Sequence, residues 1–343
     1  MTERSYVDLK REVWDAGLCA RCGACVAVCP ADALFFPPAG EGGSPLSPAS
    51  SGYCKRETDG VPCGACYRAC PRAGDRIPGR SLLGESRAVV AARAAFPVPR
   101  KQSGGAVTAI LQSALEEGTI DAVVTVTADP WTLKPRSAVI TDAGVLAAHA
   151  GSRYNWQVPL LAALKDAVVE RKYRNIAVVG VPCAVQAART IRESDLDLLR
   201  PFARSIRLII GLFCTESFDY ARLVEGALRR DRRIEPWTVR RLDVKGALEA
   251  TLEDGTIVSI PLAELASCIP AGCTTCTDFA ALDADISAGA VGSPEGLTTL
   301  IVRTPAGMGF VNRAIAAGAL ETSDEVALAP AERLAARKAA RGT

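Results

Sequence analysis

Histidine is almost missing from this chain: His149 stands alone among 343 residues. One imidazole is too few for Cys/His zinc chemistry, and a His-based triad has no other candidate base. His149 itself reads as a satisfied or surface side chain. A dominant charge is missing too. The 40 Lys and Arg nearly balance the 38 Asp and Glu, for a net +2. No global field therefore points to nucleic acid or to an anionic membrane. The start, "MTERSYVDLKREVWD", is charged throughout, unlike a secretory peptide. The most apolar short run, "RLIIGLFC", is far below the roughly 20 residues a membrane helix needs. A cytoplasmic protein is expected, reaching the inner face of the membrane peripherally through a partner if at all. No G-x-G-x-x-G follows a strand, so a Rossmann nicotinamide site has no support.

Cysteine, by contrast, is abundant, with 13 residues. The number is odd and the spacings are tight, which suits metal ligation better than a disulfide framework. "CARCGACVAVCP" places Cys19, Cys22, Cys25 and Cys29 at C-x2-C-x2-C-x3-C, with Pro30 behind. This is the bacterial ferredoxin spacing, in which the fourth cysteine ligates the other of two clusters. A longer-looped version follows in Cys54, Cys63, Cys66 and Cys70, with Pro71 behind. Crossing the fourth cysteines gives one [4Fe–4S] on Cys19, Cys22, Cys25 and Cys70. The second falls on Cys54, Cys63, Cys66 and Cys29. Gly23 and Gly64 sit where backbone must approach a cluster closely. A pair of structural zinc sites is the competing account, but interleaved runs of this kind are not zinc's usual pattern. "PPAGEGGSPLSPASSG" between the runs reads as a surface loop.

After the linker "RAGDRIPGRSLLGESR" the composition turns rich in Ala, Val and Leu. Short apolar runs over 120–129, 173–183 and 205–214 read as buried strands. Helical stretches lie between them. The expected fold is an α/β body with a mostly parallel or mixed sheet, plus a small N-terminal ferredoxin-like α+β domain. Cys183 and Cys214 end two of the strands, at the sheet edge where ligands bind in open α/β folds. With the C-x2-C pair Cys273 and Cys276 they make four ligands for a third [4Fe–4S]. Cys268 is the spare and an alternative to any of the four; Cys183 and Cys214 as small buried hydrophobes is the plain alternative. Ser103-Gly104-Gly105 opens an amphipathic helix. Its free N–H groups and dipole suit a pyrophosphate, though an ordinary N-cap with a glycine turn looks the same.

"SGGAVTAIL", "GSRY", "GVPCAVQAAR", "LFC" and "CTTCTDFAALDADISAG" follow one another in order along the chain. Together they resemble the family of coenzyme F420 hydrogenase/dehydrogenase beta subunits, from about residue 80 to about residue 310. With the two-cluster head, the chain is most similar to the electron-input subunits of F420H2 dehydrogenases. The resemblance implies FAD and one [4Fe–4S] in the body, with hydride exchange between coenzyme F420 and FAD. It carries over to Ser103, Gly104 and Gly105 as a flavin-binding motif. Gly151, Ser152, Arg153 and Tyr154 would lie near the flavin or deazaflavin. No catalytic side chain is assigned. The implied domains are a head (1–78), a linker (79–90), a flavin and cluster domain (91–315) and a helical or frayed basic tail (316–343).

The chemistry of the groups points the same way. A hydride carries two electrons, clusters accept one at a time, and a flavin splits the pair. Electrons would then pass from the body cluster through the head to a membrane-associated dehydrogenase, another redox complex or ferredoxin. The reverse direction, another substrate, and a flavin-free electron-transfer adaptor are the alternatives. The basic stretch "RRDRRIEPWTVRRLDVKG" suits an anionic coenzyme tail, but a solvated surface is the simpler reading.

Overall fold

A computed structural model describes residues 4–37, 47–74, 81–154 and 158–342. Parts of the expected surface loop and linker, residues 38–46 and 75–80, lie outside the described residues.

The head is built around two short helices, Ala24–Ala27 and Ala65–Arg68. Each begins after a glycine in the left-handed region, Gly23 at φ 85° and Gly64 at φ 73°. That backbone turn is cheap only without a Cβ. A two-stranded antiparallel ribbon joins β1 (Leu34–Phe35) to β2 (Ala49–Ser50). At the N-terminal end Ser5 caps a helical turn. Its hydroxyl accepts from the Val7 N–H while Asp8 accepts from the Ser5 N–H, each at 3.0 Å. Leu9, Val13 and Trp14 from this segment pack with Cys25, Cys29, Cys66, Ala33 and Leu34.

The body strands are β3 (Ala88–Ala94), β4 (Ala122–Ala128), β5 (Pro135–Ile140), β6 (Ile176–Gly180) and β7 (Ile206–Leu212). They continue with β8 (Val239–Val244), β9 (Ala247–Leu252), β10 (Ile257–Pro261), β11 (Ile286–Gly289), β12 (Thr298–Val302) and β13 (Leu320–Ser323). Eight of them form one sheet in the order β13-β3-β12-β11-β7-β6-β4-β5. The central pairs β4–β6, β6–β7 and β7–β11 are parallel, and the flanking pairs are antiparallel. The sheet is therefore mixed. Its parallel centre is where the apolar, β-branched runs lie, and every residue of β6 is buried, as expected for a strand covered on both faces.

One face carries the helices Ala106–Glu116 and Pro305–Ala316. The other carries Pro182–Arg192 and the segment from Leu160 to Val168. Ala24, Ala27, Val28, Ala65 and Ala69 of the head join this second core. The head is thus packed into the body. A separate meander, β8–β9–β10, folds with the helical segment Ala221–Arg230 around Phe218, Leu242, Leu248 and Leu265. No residue pattern announces this meander. Its strands are half-exposed and carry charges, so they lack the apolar runs that mark the main sheet.

Two expected boundaries differ from the structure. β3 starts at Ala88, inside the stretch read as linker, and β13 pairs with β3 beyond residue 316. The helix Ala329–Ala339 buries Ala331, Ala335 and Lys338. The tail is an ordered part of the body, held by an apolar stripe that its basic residues obscure in the sequence.

Candidate functional site

Of the thirteen cysteines, eight lie in the head and four at or near the edge of the body sheet. In the inner head group, burial pushes the Cys22 thiol up to about 12, with Cys70 and Cys19 adding to it. Burial raises Cys25 well above its ordinary value, with Cys22, Cys70 and Cys19 adding to it. Cys19, Cys22, Cys25 and Cys70 also line one cavity with Trp14, Arg21 and Arg72. In the outer head group, burial pushes Cys66 to about 12, with Cys63, Cys29 and Cys54 adding to it. The structure thus brings Cys70 near Cys22 and Cys25, and Cys29 near Cys66.

The third group lies at the carboxyl edge of the parallel strands. Cys183 sits in the first turn of the helix that follows β6, and Cys214 lies just beyond β7. Burial raises Cys183, and Cys276 and Cys273 are its next strongest influences. Burial pushes Cys214 to about 12, partly offset by Lys338 and reinforced by Cys273 and Cys276. Cys268 is elsewhere, buried in the meander core with Asp219 and Arg222 as its charged neighbours.

Thiols pushed this high stay protonated at neutral pH unless positive charge joins them. Bound iron would supply that charge, since ligation deprotonates a thiol outright. Four-thiol groups in buried, electrostatically coupled sets fit [4Fe–4S] ligation. Among the described residues no three Cys, His, Asp or Glu side chains converge as a single ion requires.

Several residues around these groups carry no sequence motif. The Arg72 guanidinium stands among Cys276, Cys183 and Cys22, joining the body group to the inner head group. A cleft of about 510 Å3 runs between them, with Cys70 and Arg72 on one side and Cys183 and Cys276 on the other. Burial would raise Cys276, but Lys338 and Arg72 outweigh it and its thiol is lowered. Arg21 and Asp219 form a buried ion pair across the head–body junction at 3.1 Å. The Leu161 N–H donates to the Cys22 carbonyl at 2.8 Å. Gly272 lies so close to the head that a Cβ there would come within 2.2 Å of the Cys19 carbonyl oxygen.

The two flavin-associated motifs meet at the same edge of the sheet. β3 runs in the direction of the parallel strands, being antiparallel to β12, which is antiparallel to β11. Ser103-Gly104-Gly105 follows its carboxyl end. A Cβ on Gly104 would fall 2.2 Å from the Ala92 carbonyl oxygen, so only glycine lets this loop lie against the strand. Ser103 and the Gly104 N–H both bond the Thr298 hydroxyl, at 2.8 and 3.0 Å. The helix from Ala106 has no side-chain cap. Gly151, at φ 111°, sits against the Arg100 carbonyl, and Gln102 donates to the Tyr154 hydroxyl at 2.8 Å. Ser152 is exposed beside them.

Arg153 is held by the carbonyls of Gly151 (3.1 Å) and His149 (2.8 Å). Burial and then Arg100 push its pKa down to about 10. Two neighbouring guanidinium groups beside an uncapped helix start suit a bound diphosphate. The same strand of contacts reaches the body thiols. The Tyr154 carbonyl accepts from the Ser217 hydroxyl (3.2 Å) and the Phe218 N–H (2.8 Å), while the Ser217 main-chain N–H donates to Cys273.

Most of the basic stretch after residue 228 is engaged locally. Arg229 pairs with Glu225 and Glu235, Arg232 with Glu264, and Arg241 with Asp243. The "DADISAG" segment also has a structural task. Asp285 is 1% exposed, accepts from both Arg192 guanidinium nitrogens (2.7 and 2.9 Å), the Ile209 N–H (2.8 Å) and the Thr304 hydroxyl (2.9 Å). It ties β7, β11 and two helices together.

Comparison with known proteins adds the following. Residues 89–165 match the N-terminal model, and residues 173–327 the C-terminal model, of the family "Coenzyme F420 hydrogenase/dehydrogenase, beta subunit". Residues 12–35 match "4Fe-4S binding domain". An uncharacterized protein of Methanocaldococcus jannaschii is 41% identical over 96% of each chain. The F-type subunit of the F(420)H(2) dehydrogenase of Methanosarcina mazei is 33% identical over 86% of this chain and 82% of its own. A chain of the F420-reducing [NiFe] hydrogenase complex from Methanosarcina barkeri superposes with a TM-score of 0.71 at 29% identity, over 78% of this chain and 93% of that one.

Proposed function

Because the chain belongs to the family of coenzyme F420 hydrogenase/dehydrogenase beta subunits and carries a 4Fe–4S binding domain, we propose that it is an F420H2 oxidoreductase of the electron-input kind. Its twelve grouped cysteines would hold three [4Fe–4S] clusters, and the 100–105 and 151–154 segments would hold FAD. When bound, FAD links a hydride donor to one-electron carriers.

The chain's own part is placement and shielding. Gly104 and Gly105 would let backbone approach the diphosphate, and Arg100 and Arg153 would neutralise it. Tyr154 and Ser217 fix the spacing between this pocket and Cys273. Arg72 occupies the ground between the body thiols and the inner head thiols. The outer head group, beside exposed Tyr53 and Val61, faces a redox partner, a complex or ferredoxin. No described helix is long and apolar enough to cross a membrane.

The observation that carries this proposal is the contact from Tyr154 through Ser217 to Cys273, together with the Arg72 guanidinium placed among Cys276, Cys183 and Cys22. The test is anaerobic purification with iron and flavin analysis, followed by addition of reduced F420. About twelve irons, one FAD and rapid bleaching of the visible spectrum are expected. Flavin that stays oxidised would overturn the substrate, and iron without flavin would overturn the enzyme.

A further inference from the structure

Lys338 is a lysine in an unusual place. It is 2% exposed, at the end of the helix Ala329–Ala339, and its ammonium donates to the Cys214 carbonyl at 2.6 Å rather than to a carboxylate. Three residues on, Arg341 donates to the Thr215 carbonyl at 2.9 Å and pairs with Glu216. The last helix therefore grips the turn that carries Cys214. Ala331 and Ala335, on the same face, seat the helix against Leu83, Phe279 and Ala280.

Burial of a lysine ordinarily favours the neutral amine. Here the ammonium is held by the Cys214 carbonyl, and thiolates that ligate iron would place negative charge beside it. Asp278 spends one oxygen on the Leu282 N–H at 3.0 Å. The ammonium is shielded from solvent and salt, so its field acts on the thiolates at close to full strength.

We propose that Lys338 is a positioning residue that raises the reduction potential of the body cluster. This rests on Cys183, Cys214, Cys273 and Cys276 being its ligands. A four-thiolate cluster gains one negative charge on reduction. A fixed cation beside it stabilises the reduced form more than the oxidised one, and net charge near a cluster is a recognised lever on its potential. The lever comes from an element that supplies no ligand.

The test is an anaerobic redox titration of the full protein followed by electron paramagnetic resonance, with Lys338→Gln and Lys338→Arg. In wild type, three cluster signals are expected, and one should vanish in Cys273→Ser. Lys338→Gln should lower the midpoint of that signal alone, leaving both head signals in place. Lys338→Arg should restore it towards the wild-type value. An unchanged midpoint in Lys338→Gln would overturn the proposal while leaving ligation intact. Should Lys338→Gln fail to assemble the cluster, Lys338→Arg decides: a near-wild-type midpoint supports the charge, and a markedly lowered one overturns it. Absence of a Cys273-dependent signal in wild type would overturn the ligand set, and the proposal with it.

Discussion

Replacing Arg153 by methionine separates an anion-binding role from a structural one. Its pKa falls from 12.5 to about 10, through burial first and Arg100 second. At roughly 1.4 kcal/mol per unit, holding the charge with no anion beside it costs about 3 kcal/mol. Methionine removes that cost. It also removes two charge-assisted bonds, to the Gly151 and His149 carbonyls. Each such bond contributes about 1.5–3 kcal/mol. The opposed effects are similar in size, so flavin-free protein should lose no more than about 3 kcal/mol. FAD binding has no such offset. Loss of one charge-assisted contact to the diphosphate, about 1.5–3 kcal/mol, weakens affinity about 10- to 100-fold. The assay is a flavin fluorescence titration of flavin-free wild type and variant, with melting curves taken with and without FAD. An affinity within twofold of wild type would refute the anion site. A large loss of stability without flavin, with affinity intact in the folded fraction, would make Arg153 purely structural.

Other perturbations bear on the remaining contacts. Asp285→Ala leaves Arg192 buried without its carboxylate and should lower stability by about 3–5 kcal/mol in urea unfolding; a loss below about 1 kcal/mol would show that Arg189 and solvent compensate. Gly272→Ala drives a methyl group into the Cys19 carbonyl. It should raise hydrogen exchange across residues 19–23, whereas unchanged exchange would mean that the two backbones separate freely. Cys273→Ser should remove about a third of the iron, the share of one cluster in three, while Cys268→Ser should remove none. Equal losses in the two variants would put Cys268 among the ligands.

The head was legible because its cysteines crowd into short loops, where spacing alone marks a 4Fe–4S binding domain. The body strands were legible where both faces are buried, as in β6. The meander was not, since Arg240, Arg241 and Asp243 interrupt its apolar positions. Cys183, Cys214 and the Cys273–Cys276 pair are far apart in sequence, and only the sheet edge brings these three segments near one another. Lys338 was hidden by its neighbours. Its position three and seven residues beyond Ala335 and Ala331 is the helical spacing of a buried stripe, and that was the available signal. Ser217 and Arg72 had none, because each acts through contacts made by distant chain segments.

The head meets the body main chain to main chain. A Cβ on Gly23 would strike Ala162 and Pro159, one on Gly272 would strike Cys19, and Arg21 and Asp219 are sealed between them. Among the described residues such a junction packs as one body. On this packing the head would hold its place rather than swing between donor and acceptor as a tethered shuttle domain does. Internal electron flow should therefore be insensitive to solvent viscosity, and its pace is set by fixed separations and driving force. Whatever diffusion the system needs would then be left to the substrate and to a redox partner.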